Sequence, residues 1–108
     1  MESKIAEYSE IKSLAETMAR AVKPQKIYLF GSFAKSKQTE DSDYDFCLIV
    51  DDGRNVDELS AEAYVAIGFK RKRPVDILVV SDKQFAERKN WNLSVERDVA
   101  EEGVLIYG

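Results

Sequence analysis

Apolar residues recur along the chain in patterns that predict helices alternating with short strands. Over residues 3–22 they recur at spacings of three and four, the period of an amphipathic helix, which Pro24 ends. A second helix is predicted from Asn55 to Gly68, and two shorter helices share residues 82–102. Four apolar runs predict strands, at residues 26–30, 43–50, 74–80 and 104–107.

This alternation predicts an α/β or α+β fold, in which a small mixed β-sheet is flanked by helices. With 108 residues and no repeat or linker, the chain is expected to form one domain over residues 1–108. If the second and third strands bring their acidic residues to the same end of the sheet, they must run parallel, and the one helix between them suits a right-handed crossover. The first strand would then run antiparallel to the second.

Composition excludes several classes of protein. The chain has no histidine and one cysteine, which excludes histidine-based triads, histidine-ligated zinc and internal disulfides. Its net charge of −4 disfavours direct binding to nucleic acid. Its apolar runs are too short to cross a membrane, and its first residues lack the apolar stretch of a signal peptide. A cytoplasmic location is expected.

Two aspartates begin the second predicted strand. Asp43 and Asp45 alternate along it, so their side chains share a face while Tyr44 and Phe46 point to the core. Adjacent carboxylates repel unless one is protonated or a cation lies between them, and Mg²⁺ is the common oxygen-seeking cation. Alone, the pair also fits a solvated strand start.

A third aspartate interrupts the third predicted strand. Asp76 lies in a run that otherwise looks buried, where a charge is costly unless it is paired or bound to metal. One interpretation is a salt bridge to Arg71 or Arg73. The other is that parallel strands bring Asp76 to the same end of the sheet as Asp43 and Asp45.

The first predicted strand ends at Gly31-Ser32. Glycine lets a ligand approach the backbone, and the serine hydroxyl is an additional donor. A helix opening at Phe33 would offer free amides to phosphate. An ordinary Gly-Ser turn is the alternative.

Together these segments resemble the DNA polymerase beta nucleotidyltransferase superfamily. The resemblance lies in Gly31-Ser32-Phe33-Ala34, in Ser42-Asp43-Tyr44-Asp45 at the expected spacing, and in Asp76 on a later strand. The whole chain is similar to the minimal nucleotidyltransferases of prokaryotes. Lys35 and Ser36 replace the usual arginine and glycine, which puts the turn geometry at residue 36 in doubt.

The resemblance implies a polymerase beta-like palm fold and a mechanism. ATP would bind with its phosphates at Gly31 and Ser32, with Lys35 and Ser42 also in the nucleotide site. Asp43, Asp45 and Asp76 would be the catalytic and metal-binding residues, holding two Mg²⁺ ions. One ion would neutralise the departing pyrophosphate and the other would activate the acceptor hydroxyl, with Asp76 able to accept its proton.

The resemblance also implies a partner. In this group it is a HEPN-domain toxin, and the short chain is an antitoxin that adds AMP to a tyrosine of that toxin. One alternative is an antitoxin with a weak or inactive site that neutralises its partner by contact. The last alternative is modification of a small molecule, although such enzymes carry helical domains that this chain lacks. A homodimer is a further expectation.

Three other features have ordinary structural interpretations. The basic run at residues 70–73 is interpreted as a solvated helix end, with contact to phosphate, RNA or an acidic partner as the alternative. Cys47 shares the strand face of Asp45 and is expected to be buried. Trp91 is expected in either the core or an interface.

Overall fold

The structure is a computed structural model that describes residues 2–69 and 71–108, with side chains from residue 7 onward except that of residue 70. Residue 5, part of the predicted helix stripe, lies outside the described side chains. Within these limits the elements are α1 (Glu2–Val22), β1 (Lys26–Phe30), β2 (Tyr44–Val50), α2 (Val56–Ile67), β3 (Val75–Ser81), α3 (Asp82–Arg88), α4 (Val95–Glu102) and β4 (Val104–Tyr107). All the predicted elements are therefore present, and β2 and β3 each begin one residue later than expected. The assignment of residues 1–108 to one domain stays a prediction.

The strands form one mixed sheet in the order β3-β2-β1-β4. Strand β1 is antiparallel to both β2 and β4, whereas β2 and β3 are parallel and joined through α2. The predicted fold class is confirmed. This topology brings the C-terminal end of β1 and the N-terminal ends of β2 and β3 to one edge of the sheet.

Helices α1 and α2 cover one face of the sheet and bury the larger core. Strand β2 supplies Tyr44, Phe46, Leu48 and Val50 to this core, and each is fully buried. This is the face that alternation along the strand predicts. Burying a side chain of this size stabilises the fold by roughly 1.5–3 kcal/mol, so the register of β2 is strongly fixed.

Helices α3 and α4 cover the opposite face and form a smaller core around Cys47, Ile49, Val80 and Val99. The expected burial of Cys47 is confirmed, and burial raises the pKa of its thiol to about 12. The thiol is therefore neutral at physiological pH. Trp91, by contrast, is 55% exposed and lies under the Arg88 guanidinium, so it is not a core residue.

Local hydrogen bonds fix where the helices begin. The Asn55 side chain accepts from the amides of Asp57 and Glu58, and Ser81 Oγ accepts from the amide of Gln84, as the capping patterns predict. Among the described residues, no helix is both long and apolar enough to cross a bilayer.

Candidate active site

Two carboxylates lie next to each other on parallel strands. Asp45 of β2 is the register partner of Asp76 of β3 and, on its other side, of Phe30 at the end of β1. Neighbouring strands are about 4.8 Å apart, and register partners direct their side chains to the same face. The predicted convergence of Asp45 and Asp76 at one end of the sheet is therefore present.

The third carboxylate, Asp43, immediately precedes β2. It is close enough to Asp45 to affect its protonation: burial, then Asp76, then Asp43 raise the pKa of the Asp45 carboxyl to about 6. Two negatively charged neighbours and partial loss of water all disfavour the ionised form. The fold therefore places these carboxylates close enough to repel one another.

The structure corrects two expectations about Asp76. Its side chain is exposed rather than buried, because it lies on an edge strand at the open end of the sheet. It also makes no salt bridge within the described residues: Arg73 pairs with Glu7, and Arg71 donates to the Gly68 carbonyl. Its charge is tolerated because the side chain is exposed to water, and not because a cation is paired with it.

The three carboxylates do not form a ready metal cage. In the part of the chain that the structure describes, no group of three or more potential ligand side chains is arranged to hold a metal ion. No side-chain hydrogen bond or salt bridge between described residues neutralises Asp43, Asp45 or Asp76. Their oxygen donors and uncompensated charge nevertheless suit Mg²⁺, which commonly uses one or two carboxylates and completes its shell with substrate phosphates and water.

Gly31 packs directly against this acidic group. It has a φ of +75°, and a Cβ atom built there would collide with the Asp45 carboxylate. Both the backbone conformation and the lack of space require glycine. The resemblance motif thus has a physical explanation here, because Gly31 brings the loop that follows β1 into contact with the carboxylates.

The loop after Gly31 makes a turn over residues 31–36, and no helix opens at Phe33. The amide of Lys35 donates to the Gly31 carbonyl at 3.2 Å, and that of Lys37 donates to the Ser32 carbonyl at 2.9 Å. Among the described residues, the amides of residues 32–34 have no hydrogen-bond acceptor. Three consecutive free amides beside glycine are suited to bind an anion, even without a helix.

Ser36 takes up the backbone conformation that the missing glycine would have. Its φ is +55°, in the left-handed region, and its amide donates to the Phe33 carbonyl at 3.4 Å. The turn is therefore formed despite the departure from the usual pattern. The cost is backbone strain of about 1 kcal/mol.

The other two predicted nucleotide-binding residues already have partners. Lys35 Nζ lies 2.8 Å from Asp98 of α4, and this hydrogen bond is the main cause of a raised pKa for Lys35. Ser42 Oγ accepts from the Thr39 amide at 2.8 Å and so shapes the loop before Asp43.

An open cleft of about 330 Å³ lies over the carboxylate pair. This volume falls at the lower end of the range for small-molecule sites. Its walls are largely apolar, and its lining residues are Phe30, Asp45, Asp76, Ile77, Leu78 and Val95. No sequence pattern predicts Val95 here, because its position depends on how α4 packs against the sheet.

The basic run at residues 70–73 is not simply a solvated helix end. Residue 70 lies outside the described residues and Lys72 is exposed, but Arg73 is half-buried and binds the loop before Asp43 through three backbone carbonyls. Sequence analysis missed this role. The one available signal was the position of Arg73 two residues before β3.

Comparison with known proteins bears on the family of the chain. Residues 11–106 match the family described as nucleotidyltransferase domain. The chain is 34% identical over 84 residues to a protein of Methanocaldococcus jannaschii named "Putative protein adenylyltransferase MJ0604", covering 77% of this chain and 78% of that protein.

A solved structure has a similar fold. It is described as a crystal structure of the toxin-antitoxin with AMP-PNP, and it aligns with a TM-score of 0.56 at 22% identity, covering 90% of this chain and 73% of that one. The family match spans nearly the whole chain, and Gly31, Asp43, Asp45 and Asp76 all lie within the matched range. The chain therefore belongs to the nucleotidyltransferase domain family, as its resemblance to the minimal nucleotidyltransferases predicts.

Proposed function

We propose that the chain transfers AMP from ATP to a hydroxyl group on a partner protein. The observation that carries this proposal is the register of Asp45 with Asp76, which puts two uncompensated carboxylates side by side, with that of Asp45 against Gly31. Such a site suits a substrate that carries both phosphate and divalent metal. Similarity to a named protein adenylyltransferase, and to a fold solved with AMP-PNP, supports ATP as the donor.

The proposed nucleotide site is the loop that follows β1. The free amides after Gly31 and the Ser32 hydroxyl would donate to the β and γ phosphates. Lys35 would add a positive charge once it leaves Asp98, and Ser42 would contribute by holding the loop in shape.

Asp43, Asp45 and Asp76 would hold two Mg²⁺ ions together with the triphosphate. When bound, these ions neutralise the pyrophosphate and lower the pKa of the acceptor hydroxyl. Asp76, exposed at the sheet edge, would accept the proton of that hydroxyl. The hydroxyl oxygen forms a bond to the α phosphorus, the bond from that phosphorus to the bridging oxygen breaks, and pyrophosphate leaves.

The proposed acceptor is a tyrosine of a HEPN-domain toxin, which makes the chain the antitoxin of a cytoplasmic pair. In this proposal the partner supplies the acceptor hydroxyl. A homodimer belongs to the same proposal, while direct nucleic-acid binding does not.

A second candidate function is neutralisation of the toxin by contact alone. One observation favours it: Lys35, the lysine expected to bind phosphate, is bound to Asp98 instead. A chain with this function would bind its partner equally well with or without ATP.

The decisive experiment uses ATP labelled on either the α or the γ phosphate. The chain is incubated with MgCl₂, each labelled ATP in turn, and the HEPN-domain protein that co-purifies with it. We expect the partner to acquire α label and no γ label, and to lose this labelling when its acceptor tyrosine is replaced by phenylalanine. Asp45→Asn and Asp76→Asn should abolish labelling, whereas Asp57→Asn, on an exposed turn of α2, should not. Stable binding of the partner without any α label would support the contact mechanism and exclude the enzymatic one.

A further inference from the structure

Arg73 joins the segment before β3 to the loop before β2. Its Nη1 lies within donating distance of the carbonyl oxygens of Thr39 (2.8 Å), Glu40 (3.0 Å) and Ser42 (2.9 Å). Its Nη2 donates to Glu7 Oε1 of α1 at 2.8 Å. One guanidinium thus binds three carbonyls of one loop and a carboxylate of a helix.

The same guanidinium also lies over an aromatic ring in the turn that follows Gly31. Its central carbon is 5.0 Å from the centre of the Phe33 ring, and that ring packs against Tyr44 at 5.0 Å. Phe33 follows Ser32 directly, and Tyr44 follows Asp43. Arg73 therefore contacts both ends of the segment that separates the glycine turn from the aspartates.

Residues 31–43 need such support, because they contain no helix or strand. The Ser42 carbonyl belongs to the peptide group that leads into Asp43, so its position fixes the start of β2. A loop of this length has many conformations unless side chains restrict it. A guanidinium, with five donors in a rigid plane, can bind several carbonyls and stack on a ring at once.

We infer that Arg73 is a positioning residue for nucleotidyl transfer: it holds the Asp43 carboxylate and the Gly31-Ser32 turn in the relative arrangement that binds metal and triphosphate. This inference rests on the proposed function. Among the described residues, Arg73 makes no hydrogen bond or salt bridge to Asp43, Asp45 or Asp76, so it acts through the backbone and through Phe33. Groups that orient metal ligands from behind typically contribute 10–100-fold to affinity or activity.

Arg73→Lys is the first test, because lysine keeps the charge near Glu7 but cannot reproduce the planar set of donors. Arg73→Met removes the charge as well. The matched control is Arg54, whose guanidinium also donates to two backbone carbonyls, those of Val22 and Lys23, at the C-terminal end of α1. Arg54→Lys therefore breaks comparable bonds away from the carboxylates.

Two readouts separate positioning from stability. The first is the MgCl₂ concentration that gives half-maximal transfer of α label to the partner. The second is binding of AMP-PNP with Mn²⁺ as the probe metal, which needs neither partner nor catalysis. We expect Arg73→Lys to need roughly 10-fold more metal in both assays and to lose about 10–100-fold in transfer rate. Arg54→Lys should match the wild type in both assays, even if its melting temperature falls as much as that of Arg73→Lys.

Equal metal dependence in Arg73→Lys and the wild type would overturn the inference, as would an equal loss in Arg54→Lys at equal melting temperature. If Arg73→Met does not fold, Glu7→Gln gives a milder change, since it removes the charge of one partner and leaves the three carbonyl bonds, and we expect a smaller shift in metal dependence in the same direction. Should the wild type bind Mn²⁺ and AMP-PNP but transfer no label, the proposed function fails. The binding assay would then still decide the role of Arg73.

Discussion

Asp45 on β2 lies beside Asp76 on the parallel strand β3, and no cationic side chain of the described residues lies between them. Burial, and after it the negative charges of Asp76 and Asp43, disfavour the ionised form of Asp45 and raise its pKa to about 6. The carboxylates therefore repel one another at the edge of the sheet where Gly31-Ser32 also lies. Binding of a cation or of a proton would relieve this repulsion.

Asp45→Asn should stabilise the metal-free protein at pH 7 and change little at pH 4. The folded state holds the Asp45 proton up to about pH 6, whereas the unfolded chain releases it near 3.8. The free energy of unfolding of the wild type therefore falls as pH rises from about 4 to 6, because Asp45 must ionise in the folded state. Allowing for solvent screening, we expect a gain of about 1–2 kcal/mol at pH 7. Thermal unfolding in EDTA at both pH values measures it, with Asp57→Asn as the control. A variant less stable than the wild type at pH 7 would instead assign Asp45 a structural role.

Divalent metal should raise the melting temperature of the wild type, because a ligand that binds only the folded state stabilises it. Melting is measured with MgCl₂, with AMP-PNP and with both, against an NaCl control of equal ionic strength. The largest increase is expected with both, since the carboxylates do not form a complete metal site alone. Asp76→Asn should lose most of the increase. An undiminished increase in that variant would place the metal elsewhere.

Gly31→Ala and Gly53→Ala form a matched pair, since both glycines have positive φ values, of +75° and +89°. Alanine at 53 meets no atom within 4 Å and should cost only the backbone strain, about 1 kcal/mol. Alanine at 31 must also displace the Asp45 carboxylate, so we expect a loss of about 2–4 kcal/mol and no measurable transfer. Denaturant unfolding gives the two stabilities. Equal losses would show that the loop and carboxylate are further apart than described.

The topology of this fold could be predicted from the sequence because its signals are local and consistent. Alternating apolar residues in β2 fix its faces, and a helix-length connection makes β2 and β3 parallel. The site was predictable only in part. Asp76 looked buried because its strand is apolar, but at the start of this edge strand only the opposite face, which carries Val75, is buried. The role of Arg73 depends on contacts with residues more than 30 positions away, for which the sequence carries no periodic signal.

Ser36→Gly should stabilise the protein slightly, by about 0.5 kcal/mol. Glycine relieves the strain of the left-handed conformation at φ +55°, and the greater freedom of glycine in the unfolded chain offsets part of that gain. Lys23→Gly is the control, because Lys23 has a similar φ of +53° at the end of α1 and lies outside the site. Chemical unfolding should give similar gains for the two variants. If Ser36→Gly also raised the transfer rate, while Lys23→Gly did not, the serine would be a cause of reduced activity.

Asp98→Asn should strengthen ATP binding, and this result would explain how Lys35 can serve the phosphates. Lys35 is bound to Asp98 at 2.8 Å in the unliganded protein, so the carboxylate and the triphosphate compete for one ammonium group. Removing the carboxylate should lower the KM for ATP about threefold and leave kcat unchanged, whereas Lys35→Met should raise the KM. The difference should shrink as NaCl increases, because the pair is partly exposed and screened. Steady-state transfer over a range of ATP concentrations provides the test. A KM that rises in Asp98→Asn as it does in Lys35→Met would mean that Asp98 holds Lys35 in place for the nucleotide rather than competing with it.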